Sequence, residues 1–417
     1  MKMYSKAWPS KHKTEVVMDI NKAKNSVLKA GIQLVESGLV ARTWGNVSCR
    51  VDEENFVITP SGRSYQSLTA ADLVRVKIKD LSYQGEIKPS SEKGVHAGVY
   101  KLYPDINFVI HTHQDNASVI AATGLNKIEV GGEYPTLGGE VICAEYALPG
   151  TKALCKKVQK ALGKSNGKAV IMKHHGALCF GGNAEETFTV ASELEKACAE
   201  FVVNHYLKLS KEAKYDPSSM YAFAIGQNSK TKLPILDQEM KTYGCSRRSN
   251  QGFIWYDGER ELEIPDNQSL AGLPEETRVY RTIYNQNKQI NQIIFKATPE
   301  ILELSAVGIN LKPLLDDFAQ IIGLQVRTVD KNNPDMIAQA LSKSTAVLIL
   351  NTGALCCGLT KDDAVAVGMI LQKSCKALIG ASLFGKVKPI NPVESMIMRY
   401  VYLKKYSKQT EKNILPH

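Results

Sequence analysis

Residues 111–113 read His-Thr-His and directly follow an apolar run, Asn-Phe-Val-Ile, at 107–110. Side chains two apart on a strand point to the same face, so the imidazoles of His111 and His113 converge, which is metal-ligand geometry. A second cluster, His174-His175-Gly176, follows another apolar run at 169–172 and precedes a glycine-rich turn. One of its histidines is placed to supply a third ligand, and three histidines with a fourth position open describe a catalytic zinc site rather than a closed structural one. Two imidazoles alone constrain a site little, so the second cluster carries the metal reading. Of eight histidines, at 12, 96, 111, 113, 174, 175, 205 and 417, five lie between 96 and 175, a concentration that space-filling does not explain.

Three further segments nearby are rich in small donors: Gly45-Asn46-Val47-Ser48, Thr59-Pro60-Ser61-Gly62 and Pro89-Ser90-Ser91-Glu92. Glycine lets backbone N–H groups approach an anion, while Ser and Asn add side-chain donors, the combination that cradles phosphate without a run of lysines. Each alone is an ordinary turn, because these residues dominate loops. Glu92 stands beside this anion site, where a carboxylate whose pKa is raised by partial burial can move protons. His96, one helical turn further on, shares a face with Glu92 and is placed to support it rather than to bind metal.

Strands and helices must bring these groups together. Short strands are expected at 56–59 and 107–110, and a long helix after Asn183. Asn183 is its N-cap, Glu186 its capping-box partner, and Val190, Ala191, Leu194, Ala197, Cys198 and Phe201 form its apolar face. The chain is α/β in class, and it is doubled. Residues 175–198 align without gaps on 352–375, with Gly176, Leu178, Cys179, Gly181, Lys196 and Cys198 recurring at constant offset. Upstream, the segment ending at Gly124 aligns with the one ending at Gly308. The second copy holds Phe295, Ala297 and Thr352 where the first has His111, His113 and His175. None of these replaces an imidazole, so half two keeps the scaffold without this metal site and serves assembly, support or a different binding role. The polar, turn-rich stretch 207–250 holds the boundary, giving domains at 14–210 and 236–408 and a linker at 211–235.

The composition of the 417 residues, 44% hydrophobic and 23% charged, excludes disorder and a collagen-like chain. No apolar run approaches the roughly 18–20 residues of a membrane span, and residues 1–13 lack the core of a signal peptide, so a cytoplasmic protein that does not bind membranes is expected. Nine cysteines without a CxxC pair fit reduced core thiols. The net charge of +10 is spread along the chain and no aromatic-interleaved basic motif accompanies it, so no nucleic-acid partner is expected.

In this order and with these separations, the Gly-Asn-Val-Ser, Thr-Pro-Ser-Gly, Pro-Ser-Ser-Glu, His-Thr-His and His-His-Gly segments resemble the class II aldolase and adducin family over nearly all of residues 14–210. The resemblance implies two tandem class II aldolase-like domains, each a central, mainly antiparallel β-sheet flanked by helices, the second degenerate. It implies zinc, or another divalent metal, on His111, His113 and His175, with His174 outside the ligand set. It also implies substrate phosphate on Gly45, Asn46, Ser61, Gly62, Ser90 and Ser91, and Glu92 as acid/base. The activity implied is cleavage of a phosphorylated sugar, a ketose 1-phosphate such as fuculose 1-phosphate, into dihydroxyacetone phosphate and a small aldehyde, with no Schiff-base lysine. The same fold also serves pentulose-phosphate 4-epimerases, sugar-phosphate dehydratases, decarboxylases and the non-enzymatic adducin scaffold. Family enzymes form fourfold rings with an aromatic residue reaching across from a neighbour, so a homo-oligomer with pseudo-symmetric rings is expected, half two standing in for alternate subunits. Residues 131–140 align poorly, which leaves that aromatic role unassigned to Tyr134. Half two keeps Glu276 opposite Glu92, but Pro274 and Glu275 replace the two serines, and the added carboxylate repels phosphate.

Overall fold

The computed structural model describes residues 18–37, 45–213 and 243–404. The expected domain edges at 14, 235–236 and 408, and the linker beyond Ala213, lie outside the described residues. Half one contains helices α1 (Ile20–Glu36), α2 (Lys93–Leu102), α3 (Asp115–Thr123), α4 (Lys152–Leu162) and α5 (Ala184–Ala213). Its strands are β1 (Asn46–Arg50), β2 (Asn55–Ile58), β3 (Val74–Lys77), β4 (Phe108–Thr112), β5 (Lys127–Glu129), β6 (Glu140–Ala144), β7 (Ala169–Met172) and β8 (Gly176–Gly181). They form one sheet in the order β3-β2-β1-β4-β8-β7-β6-β5. Every pairing is antiparallel except β6 with β7.

Helices cover both faces, so the central strands are buried along their whole length rather than at alternate residues. Phe108 and Ile110 of β4 and Val47 and Cys49 of β1 pack with α1 and α5. Val109 of β4 and Phe56 and Ile58 of β2 pack with α2 and α4. Polar groups on this second face therefore lie beneath α2, and that is where the site forms.

Half two repeats the plan with β9 (Cys245–Ser249), β10 (Gly252–Tyr256), β11 (Glu261–Pro265), β12 (Gln292–Lys296), β13 (Thr328–Val329), β14 (Ala346–Ile349) and β15 (Gly353–Gly358). Its helices are α6 (Glu276–Gln286), α7 (Pro299–Val307), α8 (Pro334–Leu341), α9 (Lys361–Ser382) and α10 (Pro392–Tyr402). The sheet order β11-β10-β9-β12-β15-β14-β13 matches half one strand for strand, apart from a counterpart of β5. The likeness extends to individual side chains. Arg50 donates to the carbonyls of Tyr100, Tyr103 and Ile106, and Arg248 does the same to Tyr284, Asn287 and Ile290. His174 and Asn351, at equivalent turns, both take left-handed backbone angles, φ 57° and 55°.

The caps of the long helices differ. Thr360 and Asp363 close both bonds of a capping box ahead of α9. Asn183 accepts the Glu186 N–H at 2.9 Å, but the Glu186 carboxylate turns to the Gly182 N–H at 2.6 Å instead of completing the box. The halves pack directly on one another. A Cβ at Gly380 of α9 would lie 2.6 Å from Val119 of α3, so glycine is what lets these two helices touch. Around that point Ala122, Leu314, Leu315, Ala377 and Ala381 form an apolar seam. The far end of α5 crosses into half two, where Phe201 and His205 stack on Phe384 and Tyr206 joins the core. Helix α9 has the length and composition of a membrane span, a feature the apolar-run count passes over, yet most of it is buried within the protein. All nine cysteines carry free thiols, seven of them buried.

Candidate active site

Asn46 of β1 is the register partner of His111 on β4, and Ser48 shares their face. Above them Glu92, the N-cap of α2, and His96 and Tyr100 within it follow at four-residue intervals along one stripe. The result is a buried chain of hydrogen bonds that zigzags between strand and helix. Tyr100 meets Ser48 at 2.7 Å, Ser48 meets His96 Nδ1 at 2.7 Å, His96 Nε2 meets the Asn46 carbonyl oxygen, and Asn46 Nδ2 donates to Glu92 at 3.0 Å. With the Asn46 amide donating to the carboxylate, its oxygen accepts from His96 Nε2–H, which leaves Nδ1 to accept from Ser48. Burial pushes the His96 pKa down to about 4, in keeping with this neutral tautomer. His96 thus supports Glu92 through Asn46 rather than by direct contact.

His175 arrives from the β7–β8 turn. A Cβ on the following Gly176 would lie 2.3 Å from the Thr112 carbonyl oxygen and 3.0 Å from the His111 ring, so only glycine lets this turn close onto β4. The His111 and His175 rings stack with centroids 4.7 Å apart, and His113 lies 4.7 and 5.3 Å from them. One ring nitrogen from each of the three falls within 4.8 Å of the others, a set that can hold a single metal ion. His111 Nε2 and His175 Nε2 are buried without hydrogen-bond partners. Leaving such a group unpaired costs about 1–3 kcal/mol, and a bound ion would relieve it. The Glu92 carboxylate lies 3.3 Å from His111 Nε2 and 2.8 Å from His175 Nε2, out of line for hydrogen bonds.

Burial alone would raise the Glu92 pKa, as the sequence suggests, but the adjacent His111 and His175 outweigh it and hold the carboxyl well below its usual range. Glu92 is therefore held in its ionised form at neutral pH. Burial likewise drives His111 down, whereas at His175 the Asp316 and Glu92 carboxylates overcome burial and raise it.

All ten expected site residues, Gly45, Asn46, Ser61, Gly62, Ser90, Ser91, Glu92, His111, His113 and His175, line one cleft of about 590 Å³. His174 is not among the residues that line it. Tyr134 is buried elsewhere, with its hydroxyl donating to Glu200 at 2.5 Å. The far wall comes from half two and includes Asp316, Asp317, Gln320, Val365, Met369 and Tyr402. Sequence reasoning missed this wall. Its one visible signal is an acidic doublet, Asp316-Asp317, set inside the apolar run Leu314-Leu315 and Phe318-Ala319.

At the corresponding place in half two the side chains engage one another. Phe295 occupies the position of His111 and stacks on Tyr243 with centroids 5.3 Å apart. Glu276 accepts from the Trp255 indole at 3.2 Å and from the Gly244 N–H at 3.3 Å, so its carboxylate is tied into the scaffold.

The model of the class II aldolase and adducin N-terminal domain matches the chain twice, at residues 25–202 and 219–379. A 5-deoxy-D-ribulose 1-phosphate aldolase of Bacillus thuringiensis serovar kurstaki is 34% identical over 184 residues, 44% of this chain and 85% of the relative. The L-fuculose phosphate aldolase of Escherichia coli K12 is 29% identical over 54% of this chain and 98% of its own. A solved L-fuculose 1-phosphate aldolase, 30% identical, superposes with a TM-score of 0.40 over 46% of this chain and 86% of that one.

Proposed function

The chain belongs to the class II aldolase and adducin N-terminal domain family, represented once in each half, and on that premise we propose that half one is a metal-dependent aldolase acting on a ketose 1-phosphate. The observation that carries the reading is the trio of buried imidazoles opposite an ionised glutamate, in a cleft whose other residues are glycine and hydroxyl donors. His111, His113 and His175 hold the ion, zinc or another divalent metal. When bound, the ion polarises the carbonyl and hydroxyl oxygens of the sugar. Gly45, Asn46, Ser61, Gly62, Ser90 and Ser91 receive the phosphate, and in doing so place the carbon chain against Glu92.

The bond between C3 and C4 breaks, the C4 hydroxyl loses its proton as the aldehyde forms, and C3 gains one as dihydroxyacetone phosphate is completed. Glu92 moves that proton, and the Tyr100–Ser48–His96–Asn46 chain holds its carboxylate in place. Half two performs no cleavage of its own and forms the far wall of the cleft. In a cytoplasmic homo-oligomer it would occupy alternate places of a ring, a state that light scattering can test. The activity is tested by release of dihydroxyacetone phosphate from a panel of ketose 1-phosphates, with and without a chelator. Chelator-sensitive release is the expected result. No release from zinc-loaded protein would move the assignment to an epimerase or dehydratase of pentulose phosphates.

A further inference from the structure

Building on the metal-binding reading, we infer that Asp316 and Asp317 of half two are positioning residues for the histidines of half one, so that the metal site is complete only when the two halves are docked. An imidazole that binds metal through one nitrogen is oriented by the hydrogen bond its other nitrogen makes. His111 finds that partner within half one, its Nδ1 donating to the Ala177 carbonyl at 2.9 Å. His175 does not. Its Nδ1 meets the Asp316 carboxylate, 141 residues away in the chain, and His113 Nδ1 lies 3.5 Å from Asp317.

The docking is a clasp built around the adjacent His174. Its imidazole Nδ1 donates to the Leu314 carbonyl at 2.8 Å, and its own carbonyl accepts the Asp316 N–H at 2.9 Å. Three bonds from two consecutive histidines thus seize one turn of half two. His174 itself takes a left-handed backbone angle, φ 57°, at this point. Behind the turn, Arg399 donates to the Gln320 and Ile321 carbonyls at 2.7 and 2.6 Å, and Asp317 pairs with the buried Lys373.

Charge points the same way. Asp316 and Asp317 are almost fully buried, and a buried carboxylate is tolerated only beside compensating charge. Among the described residues Asp317 is paired with the Lys373 ammonium, and Asp316 has His175 as its partner. Half two has therefore lost its own histidines but supplies carboxylates to those of half one.

The test is zinc affinity of the full-length protein, measured by competition with a chromophoric chelator, together with the visible absorption of the cobalt(II)-loaded form. Asp316→Ala should weaken zinc binding about 10- to 100-fold and alter the cobalt bands. The isosteric Asp316→Asn keeps an acceptor for His175 but not the charge, and should fall between that variant and the wild type. Thermal melting checks that each is folded. Wild-type zinc affinity and cobalt bands in Asp316→Asn would overturn the inference whether or not the alanine variant folds. A wild-type protein that bound no zinc would overturn both this inference and the aldolase reading, whereas tight binding unaffected by Asp316 would remove this inference alone.

Discussion

The two halves carry glutamates at equivalent positions, Glu92 and Glu276, and changing each to glutamine should have opposite consequences. Glu92 is ionised beside two ring nitrogens and receives one amide hydrogen bond, from Asn46 at 3.0 Å. Glutamine preserves the volume and an acceptor for Asn46 but cannot carry a proton. Loss of a positioned acid/base slows turnover about 10²- to 10⁴-fold, or about 3–5 kcal/mol of barrier. Zinc should stay bound, because the three histidines are untouched. Glu276 accepts both of its hydrogen bonds on one oxygen, Oε1, so Glu276→Gln keeps both and loses only their charge-assisted component. Its stability should change by no more than about 1 kcal/mol and its turnover not at all. Glu276→Ala would leave the Trp255 indole and the Gly244 N–H without partners, a cost of about 2–5 kcal/mol in all. The assay couples dihydroxyacetone phosphate release to NADH oxidation, with melting and zinc content measured on the same samples. If Glu276→Gln lost turnover at unchanged melting temperature while Glu92→Gln kept it, the assignment of catalysis to half one would be wrong.

His113→Ala should lose bound zinc on gel filtration while remaining folded, and full retention by elemental analysis would contradict the three-histidine site. His96 has its pKa lowered from 6.5 to about 4, so the unfolded chain binds the extra proton between these values. Its contribution to stability is complete above pH 6.5 and is lost as pH falls towards 4, about 2 kcal/mol having gone by pH 5. Urea titrations of the wild type and His96→Gln at pH 7 and pH 5 should show the smaller acid loss in the variant, and equal losses would refute the neutral, buried His96. Gly380→Val would drive a Cβ to 2.6 Å from Val119 at the seam between halves. A cost of about 1–3 kcal/mol is expected, together with weaker zinc binding, because the same seam carries Leu314 and Leu315 next to Asp316. An unchanged melting curve would show that the helices do not meet as closely as described.

Short-range spacing singled out the segments on half one's side of the cleft, while the choice of His175 over His174 and the phosphate positions came from the family resemblance. A two-residue step at the end of β4 places His111 and His113 together, a four-residue step from the N-cap of α2 puts His96 on the face of Glu92, and the glycine and serine turns are local by nature. The gapless repeat likewise announced a second copy of the sheet, and the missing histidines in that copy were plain from Phe295, Ala297 and Thr352. What the local pattern could not contain were contacts made across the two halves. Lys196 and Lys373 hold the same repeat position, yet the first is exposed and the second is buried against Asp317. The acidic doublet 316–317 would serve equally well in a solvated turn, and its place beside His113 and His175 depends on the docking of α9 on α3. The direction of the Glu92 pKa was decided in the same way. Burial and neighbouring charge act on it with opposite sign, and the balance depends on distances of about three ångströms between groups far apart in the chain, which only the tertiary structure sets.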